Sequence, residues 1–197
     1  DFEVFRIRTK ITQHGSTITP EDGVMVGYRD RRTRDQRWEK LEDELTFAAE
    51  DLDRSVVSKD QIRTVVRAFR DALPKMFPGR TEVPKTLFFA KDDSHAEDIV
   101  GIIREEFAKG NDFAQKITYR TTGDDPQNLI QSFRISYNPR LAVTVDMIAT
   151  GTDIKPVEIV VFMRAVKSRV LFEQMKGRGV RVIDETSLRQ VTPDARV

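Results

Sequence analysis

The side chains best suited to chemistry are two arginines three positions apart. They lie in the run Gln174-Met175-Lys176-Gly177-Arg178-Gly179-Val180-Arg181. A guanidinium group is planar and permanently charged, and it donates two parallel hydrogen bonds to the edge of a phosphate. Arg178 and Arg181, leaving one turn together, can be aimed at a single anion. Gly177 and Gly179 let the backbone depart sharply from a helix. Taken alone, the run suits two solvated arginines on a surface turn equally well. A second run, Asp146-Met147-Ile148-Ala149-Thr150-Gly151-Thr152-Asp153, follows an apolar stretch directly. Gly151 permits close backbone approach, and Asp153 can accept hydrogen bonds from sugar hydroxyls. Asp, Thr and Gly are also ordinary residues of a strand-end loop.

Other chemistries find little material. The 197 residues include no cysteine, which excludes disulfides and thiolate metal sites and fits a reducing, cytoplasmic setting. The two histidines, His14 and His95, stand far apart, so neither a zinc site nor a histidine-dependent triad is supported. Gly79-Arg80-Thr81-Glu82-Val83-Pro84-Lys85-Thr86 has the spacing of a phosphate-binding P-loop, with Pro84 in place of the second glycine. Such a loop must lie between a strand and a helix so that backbone N–H groups face the phosphates. Here a strand follows, and Pro84 removes an N–H. The net charge is +1, so any argument for nucleic-acid binding has to be local. The run Arg29 to Lys40, with six basic and three acidic residues, reads either as a solvated mixed-charge face or as a phosphate-contacting patch. No apolar run approaches the roughly 20 residues of a membrane span.

The elements that must position these residues follow from apolar spacing. Phe5 to Thr12 alternates as half-buried strands do, and turns at His14-Gly15-Ser16 and Glu21-Asp22-Gly23 predict hairpins up to Arg37. Trp38, Leu41, Leu45, Ala48 and Leu52 recur at steps of three and four, which predicts a helix. Ser58-Lys59-Asp60-Gln61 is a capping box opening a second helix through Ile62, Val65, Val66, Phe69 and Leu73, ended by Pro74 and Pro78-Gly79. From Lys85 the pattern alternates strand and helix. Thr86–Ala90, Lys116–Tyr119, Leu141–Val145 and Glu158–Phe162 read as strands, with Arg181–Ile183 a further candidate. Helices open at a second capping box, Ser94-His95-Ala96-Glu97, at Asp125-Pro126 and at Ser168. Lys109-Gly110-Asn111 closes the first of these. Four or five such units predict a parallel sheet with helices on both faces, binding ligands beyond the carboxyl ends of its strands.

Together the two runs resemble motif VI (Gln174-x-x-Gly177-Arg178-x-x-Arg181) and motif V (Asp146 to Asp153) of superfamily 2 helicases, and Thr86 to Asp93 resembles motif IV. The order fits the second RecA-like domain of that superfamily over about residues 55–185. The wording Phe89-Ala90-Lys91-Asp92-Asp93-Ser94-His95-Ala96 and Val145 to Asp153, with the lead-in Phe77 to Glu82, is similar to the motor (R) subunit of type I restriction enzymes.

The resemblance implies a three-layer RecA-like α/β fold, with a β-rich and helical N-terminal extension. It divides the chain into a lead-in with hairpins and one helix (1–54), the RecA-like domain (55–185) and a linker or tail (186–197). It implies the second motor lobe of an ATP-dependent DNA translocase, within a type I site-specific deoxyribonuclease. Arg178 and Arg181 would act on the γ-phosphate of ATP, and Gln174, Gly177, Gly151 and Asp153 would contact the nucleotide. Lys91, Gly123, Thr144 and Asp146 would face the DNA backbone or couple it to the cleft. Mg2+ would be held by a first RecA-like lobe, so this stretch alone would not hydrolyse ATP. Double-stranded DNA and the methyltransferase and specificity subunits of a restriction-modification complex are the implied partners. Another superfamily 2 DNA or RNA helicase, or a non-catalytic binding module with the same fold, are the alternatives.

Overall fold

The computed structural model describes residues 7, 16–18, 25–29, 36–40, 45–47, 59–121, 123, 125–146, 154–166, 168–178 and 183–195. Residues 6–61 form one compact unit, and residues 62–197 make up the body of another. In the first, β1 (Ser16–Ile18) pairs antiparallel with β4 (Leu45–Phe47), and β2 (Met25–Arg29) pairs with β3 (Gln36–Lys40). Hairpins were expected up to Arg37. The helix expected from Trp38 to Leu52 is not formed where the chain is described, because Trp38 lies in β3 opposite Gly27 and Leu45 lies in β4. Apolar steps of three and four are also met by two short strands close in sequence. Trp38 is flanked by Arg37 and Glu39, a local period of two, and ladder pairing with β2 decides the outcome. Ile7 is exposed and outside any strand, and the rest of Phe5 to Thr12 lies outside the described residues.

The second unit is built on a four-stranded parallel sheet in the order β6-β7-β5-β8. Its strands are β5 (Thr86–Phe89), β6 (Ala114–Lys116), β7 (Leu141–Thr144) and β8 (Ile159–Phe162). β5 is central and wholly buried, with Thr86 opposite both Leu141 and Ile159. Among the described strands β8 has one neighbour, and it is half-buried along its length, not buried on both faces as its apolar run suggested. β6 ends at Lys116, short of the expected Tyr119. Ile117 still donates to the Val143 carbonyl (2.8 Å), after which the chain turns at Thr118–Thr121.

Residue parity sorts the helices onto two faces, because alternate strand residues point to opposite sides. Phe88 meets the edge of Phe69 on α1 (Lys59–Met76), and Phe69 lies against Phe107 at the end of α2 (Asp93–Phe107). Leu87, Phe89 and Ala142 point the other way, into a core with Leu129, Ile130 and Phe133 of α3 (Pro126–Ile135) and Met175 of α4 (Arg169–Lys176). This is the three-layer arrangement expected. α1 runs two residues past Pro74, because a proline in the last turn forfeits only its own N–H and Phe77 still donates to the Leu73 carbonyl (2.9 Å). Ser58 lies outside the described residues. Across the α1–α2 seam, Arg63, Arg67 and Arg70 all reach Glu106, and together the Arg67 and Arg63 hydrogen bonds hold its carboxyl down at about 2.

The amino-terminal edge of the sheet is fastened by buried cations. Lys85 is fully buried, donates to the carbonyls of Ser136 (2.7 Å) and Pro139 (2.6 Å), and lies 5.0 Å from the Phe133 ring centre. The lysine of the P-loop-like run is thus part of the fold and turned away from any phosphate. Arg140, also fully buried, donates to the carbonyls of Val83 (2.8 and 2.5 Å), Tyr137 (3.2 Å) and Val191, and to Thr192 Oγ1 (2.8 Å). Val191 ends a helix, α5 (Glu185–Val191), in the stretch expected to be a linker or tail. Asp184 caps α5, and Leu188, Val191 and Ala195 are buried together. Asp194 then accepts from the N–H groups of Thr81 (2.6 Å) and Glu82 (2.9 Å), beside Arg80, which grips Glu158 with both arms (2.6 and 3.1 Å). The polar tail supplies buried Arg140 with acceptors at Val191 and Thr192, and it sets Asp194 3.5 Å from Arg80 Nε.

Candidate functional site

A parallel sheet binds ligands where the chains leaving two adjacent strands go to opposite faces. Here that point lies between β5 and β7. The chain leaving β5 enters α2 on the Phe88 face. The chain leaving β7 comes back through Ile154 and Val157, which are buried in the core on the Phe89 face. The strands end in step at this edge: Ala90 donates to the Thr144 carbonyl (2.7 Å) and Met163 to the Phe89 carbonyl (2.9 Å).

Register extends the row by two residues. Phe89 stands opposite Thr144 and Phe162, so Lys91, Asp146 and Arg164 stand at one level across the crevice. Asp146 and Arg164 do meet, at 3.3 Å, over the end of the central strand. The Asp146 side chain is 68% exposed, so the pair contributes at most about 1 kcal/mol and exchanges readily. Lys91 is half-buried, with its N–H donated to His95 Nδ1 (3.2 Å). The α2 cap is Asp92, whose carboxylate accepts from the His95 N–H (2.8 Å), two residues before the expected Ser94. An Asp in extended conformation one residue before the helix satisfies that N–H directly. Ala108, in the left-handed region, closes α2 ahead of the expected Gly110.

Thr144, expected to face DNA or to couple it to the cleft, is fully buried within β7. It ends the strand on the core face, so direct contact with a ligand is closed to it here. Gly123 has a φ of 102°, a conformation that favours glycine, in the approach to α3. Asp125 caps α3 through the Gln127 N–H (2.9 Å), as expected. Tyr137, read as part of the apolar side of α3, lies two residues beyond its end and is 43% exposed.

The arginine run begins in the last turn of α4, and Arg178 follows its cap residue, Gly177. Ser168 caps this helix, accepting from the Leu171 N–H (3.3 Å), and Met175 anchors it, fully buried, in the core. Gln174 lies in the last turn of α4, and Arg178 lies two residues past the end of the helix. Gln174 is exposed, whereas Arg178 is 7% exposed and donates its own N–H to the Met175 carbonyl (3.1 Å). Gly177 has ordinary helical angles, φ −58° and ψ −11°. Its value is room: a Cβ there would come within 3.1 Å of the Glu173 carbonyl oxygen. Arg181, Gly151 and Asp153 lie outside the described residues, as does most of the expected strand Arg181–Ile183. Arg164 is the residue that sequence reasoning missed. It lies past β8, outside the runs singled out, and only the strand register brings it level with Lys91 and Asp146. Among the described residues, no group of three or more His, Asp or Glu side chains could hold a metal. No described helix is long and apolar enough to cross a membrane.

Comparison with known proteins agrees with this architecture. The chain is 34% identical over 154 residues to the type I restriction enzyme EcoKI endonuclease subunit of Escherichia coli (strain K12), covering 75% of this chain and 13% of that one. It is 28% identical over 170 residues to the EcoAI endonuclease subunit of Escherichia coli, covering 82% of this chain and 20% of that one. The chain thus spans a fifth or less of the length of these relatives. Its fold matches a fragment described as an HsdR subunit of a type I restriction enzyme from Vibrio vulnificus YJ016. That match has a TM-score of 0.53 and 22% identity, over 66% of this chain and 26% of that one. The model of the helicase conserved C-terminal domain matches residues 64–183, which take in the whole parallel sheet and the arginine run, so this RecA-like chain belongs to that family.

Proposed function

We propose that this chain is the second motor lobe of an ATP-dependent DNA translocase of the type I restriction kind. The observation that carries the reading is the placing of Arg178. It is buried just past the end of a helix whose last turn is locked into the core by Met175, with Gln174 exposed in that same turn. A guanidinium fixed in this way needs no reorganisation when charge builds on a transferred phosphoryl group, which is the condition for electrostatic catalysis. Arg178 and Arg181 stabilise that charge, and Gln174, Gly177, Gly151 and Asp153 contact the nucleotide. A first RecA-like lobe, elsewhere in the protein, holds the phosphates and Mg2+. The carboxyl-terminal edge of the sheet, with Lys91, Gly123 and Asp146, faces the duplex backbone, and Thr144 couples that edge to the cleft. Closure of the lobes, favoured when ATP and DNA are both bound, drives movement along the duplex, in a complex with methyltransferase and specificity subunits in the cytoplasm.

The test is Arg178→Ala in the full-length protein. DNA-stimulated ATP turnover is expected to fall by about 10³- to 10⁵-fold, the usual effect of an arginine finger, while ATP still binds. Near-normal turnover would refute the assignment.

A further inference from the structure

The row Lys91–Asp146–Arg164 contains an internal contradiction as a DNA-facing surface. Asp146 is a carboxylate, and a carboxylate repels a phosphate. The strand register resolves this, because Asp146 stands level with Arg164 and is ion-paired to it at 3.3 Å over the end of β5. We propose that Arg164 is a phosphate-binding residue of this lobe, and that Asp146 is the counter-ion it releases when a phosphate arrives.

Three observations support this. The pair crosses the switch point between β5 and β7, where open α/β sheets take their ligands. Arg164 stays 23% exposed, so a planar fork of donors lies within reach of an incoming anion, and its link to Asp146 is a single Nη1 contact and not a bidentate clasp. Asp146 is 68% exposed, so it can swing into water when displaced without stranding a buried charge. Once Asp146 turns away, the Arg164 charge is no longer offset by its ion-pair partner. Arg164 precedes the Ser168 cap of α4 by four residues, so a phosphate held there lies within one short loop of the helix that carries Gln174 and leads into Arg178. A phosphodiester of the DNA backbone and a phosphate of the nucleotide offer the same chemistry to this group.

The proposal deepens the motor-lobe reading and rests on it, and the experiment separates the two. In the full-length protein, Arg164→Gln, Arg164→Lys and Asp146→Asn are compared with wild type. Binding of a fluorescein-labelled 30-base-pair duplex is followed across a KCl series, and binding of a fluorescent ATP analogue in parallel. Arg164→Gln is expected to weaken duplex binding about 3- to 10-fold and to reduce the salt slope by about 1, as for loss of one phosphate contact. Arg164→Lys should recover most of the loss, and Asp146→Asn should tighten binding because the competing carboxylate is gone. If Arg164→Gln instead weakens only the ATP analogue, Arg164 still binds phosphate and the source is the nucleotide. Unchanged affinity for both ligands, with an unchanged salt slope, overturns the proposal even if Arg178→Ala abolishes turnover. Weaker binding in Asp146→Asn overturns the counter-ion role.

Discussion

Replacing Lys85 with methionine puts a number on the buried cation beneath the sheet. Burial, reinforced by the nearby charge of Arg140, pulls the Lys85 ammonium down from 10.5 to about 7. An unfolded lysine titrates near 10.4. Between those values the unfolded chain holds a proton that the folded chain has lost. Unfolding then takes up a proton, and stability rises with pH by up to about 1.4 kcal/mol per pH unit. From pH 7.5 to 9.5 the gain approaches roughly 3 kcal/mol, and stability levels off above the unfolded value. The Ser136 and Pro139 carbonyls and the Phe133 face favour the charged form, so this slope is an upper bound. Methionine preserves the length of the side chain without its proton. Urea unfolding of both chains at pH 7.5, 8.5 and 9.5 should show wild type gaining on Lys85→Met by about 2–3 kcal/mol across the series. Tyr137 and Lys116 are both shifted upward, Tyr137 by its hydrogen bond to Glu82 and Lys116 by Glu97 and Asp93 against the opposing effect of burial, so they titrate above this window. Parallel curves would refute the reasoning, since they would mean that the carbonyls and the ring keep the ammonium charged to pH 9.5.

Glu106 gives the opposite sign. Its carboxyl, held at about 2 by Arg67 and then Arg63, contributes stability above pH 4.5 that is lost as pH falls toward 2. Acid unfolding followed by helical circular dichroism should therefore be steeper below pH 4.5 in wild type than in Glu106→Gln, with the curves converging near pH 2. Asp92→Ala removes the cap of α2 and should lower the unfolding free energy by about 1 kcal/mol in urea titrations. Asp194→Ala strips the Thr81 and Glu82 N–H groups of their acceptor and is expected to cost about 1.5–3 kcal/mol. It should also raise amide exchange within α5, where unchanged exchange would show that the tail is held elsewhere.

The parallel sheet was legible because its strands are short apolar runs and its helices carry strong local signals. Thr86–Phe89 and Asp125-Pro126 need no distant partner to be recognised. The arginine run was legible through its order relative to the other motifs. What escaped depended on pairing between distant residues. Trp38 and Leu45 fit a helix until ladder partners at Gly27 and Ile18 draw them into strands. The α5 segment has few apolar residues, and it is tied down by distant arginines, Arg140 at Val191 and Thr192 and Arg80 at Asp194. Arg164 carries no motif, and only register places it at the crevice. The burial of Thr144 was not legible, because adjacency to a loop motif says nothing about which face of the sheet a strand's last residue meets.

The central place of β5 has a consequence for how the chain is made. Its partners on both sides, β7 and β8, are synthesised after it, and Leu141 emerges about 55 residues behind Thr86. At about 5–20 residues per second, Leu87, Phe88 and Phe89 wait on the order of 3–10 seconds with both edges unpaired. During that interval they form an apolar strand with nothing to dock on except α1, already made, and then α2. A nascent chain of this kind is a natural client for chaperones, and its yield in a heterologous host should respond more to the rate of translation across residues 90–160 than to the stability of the finished sheet.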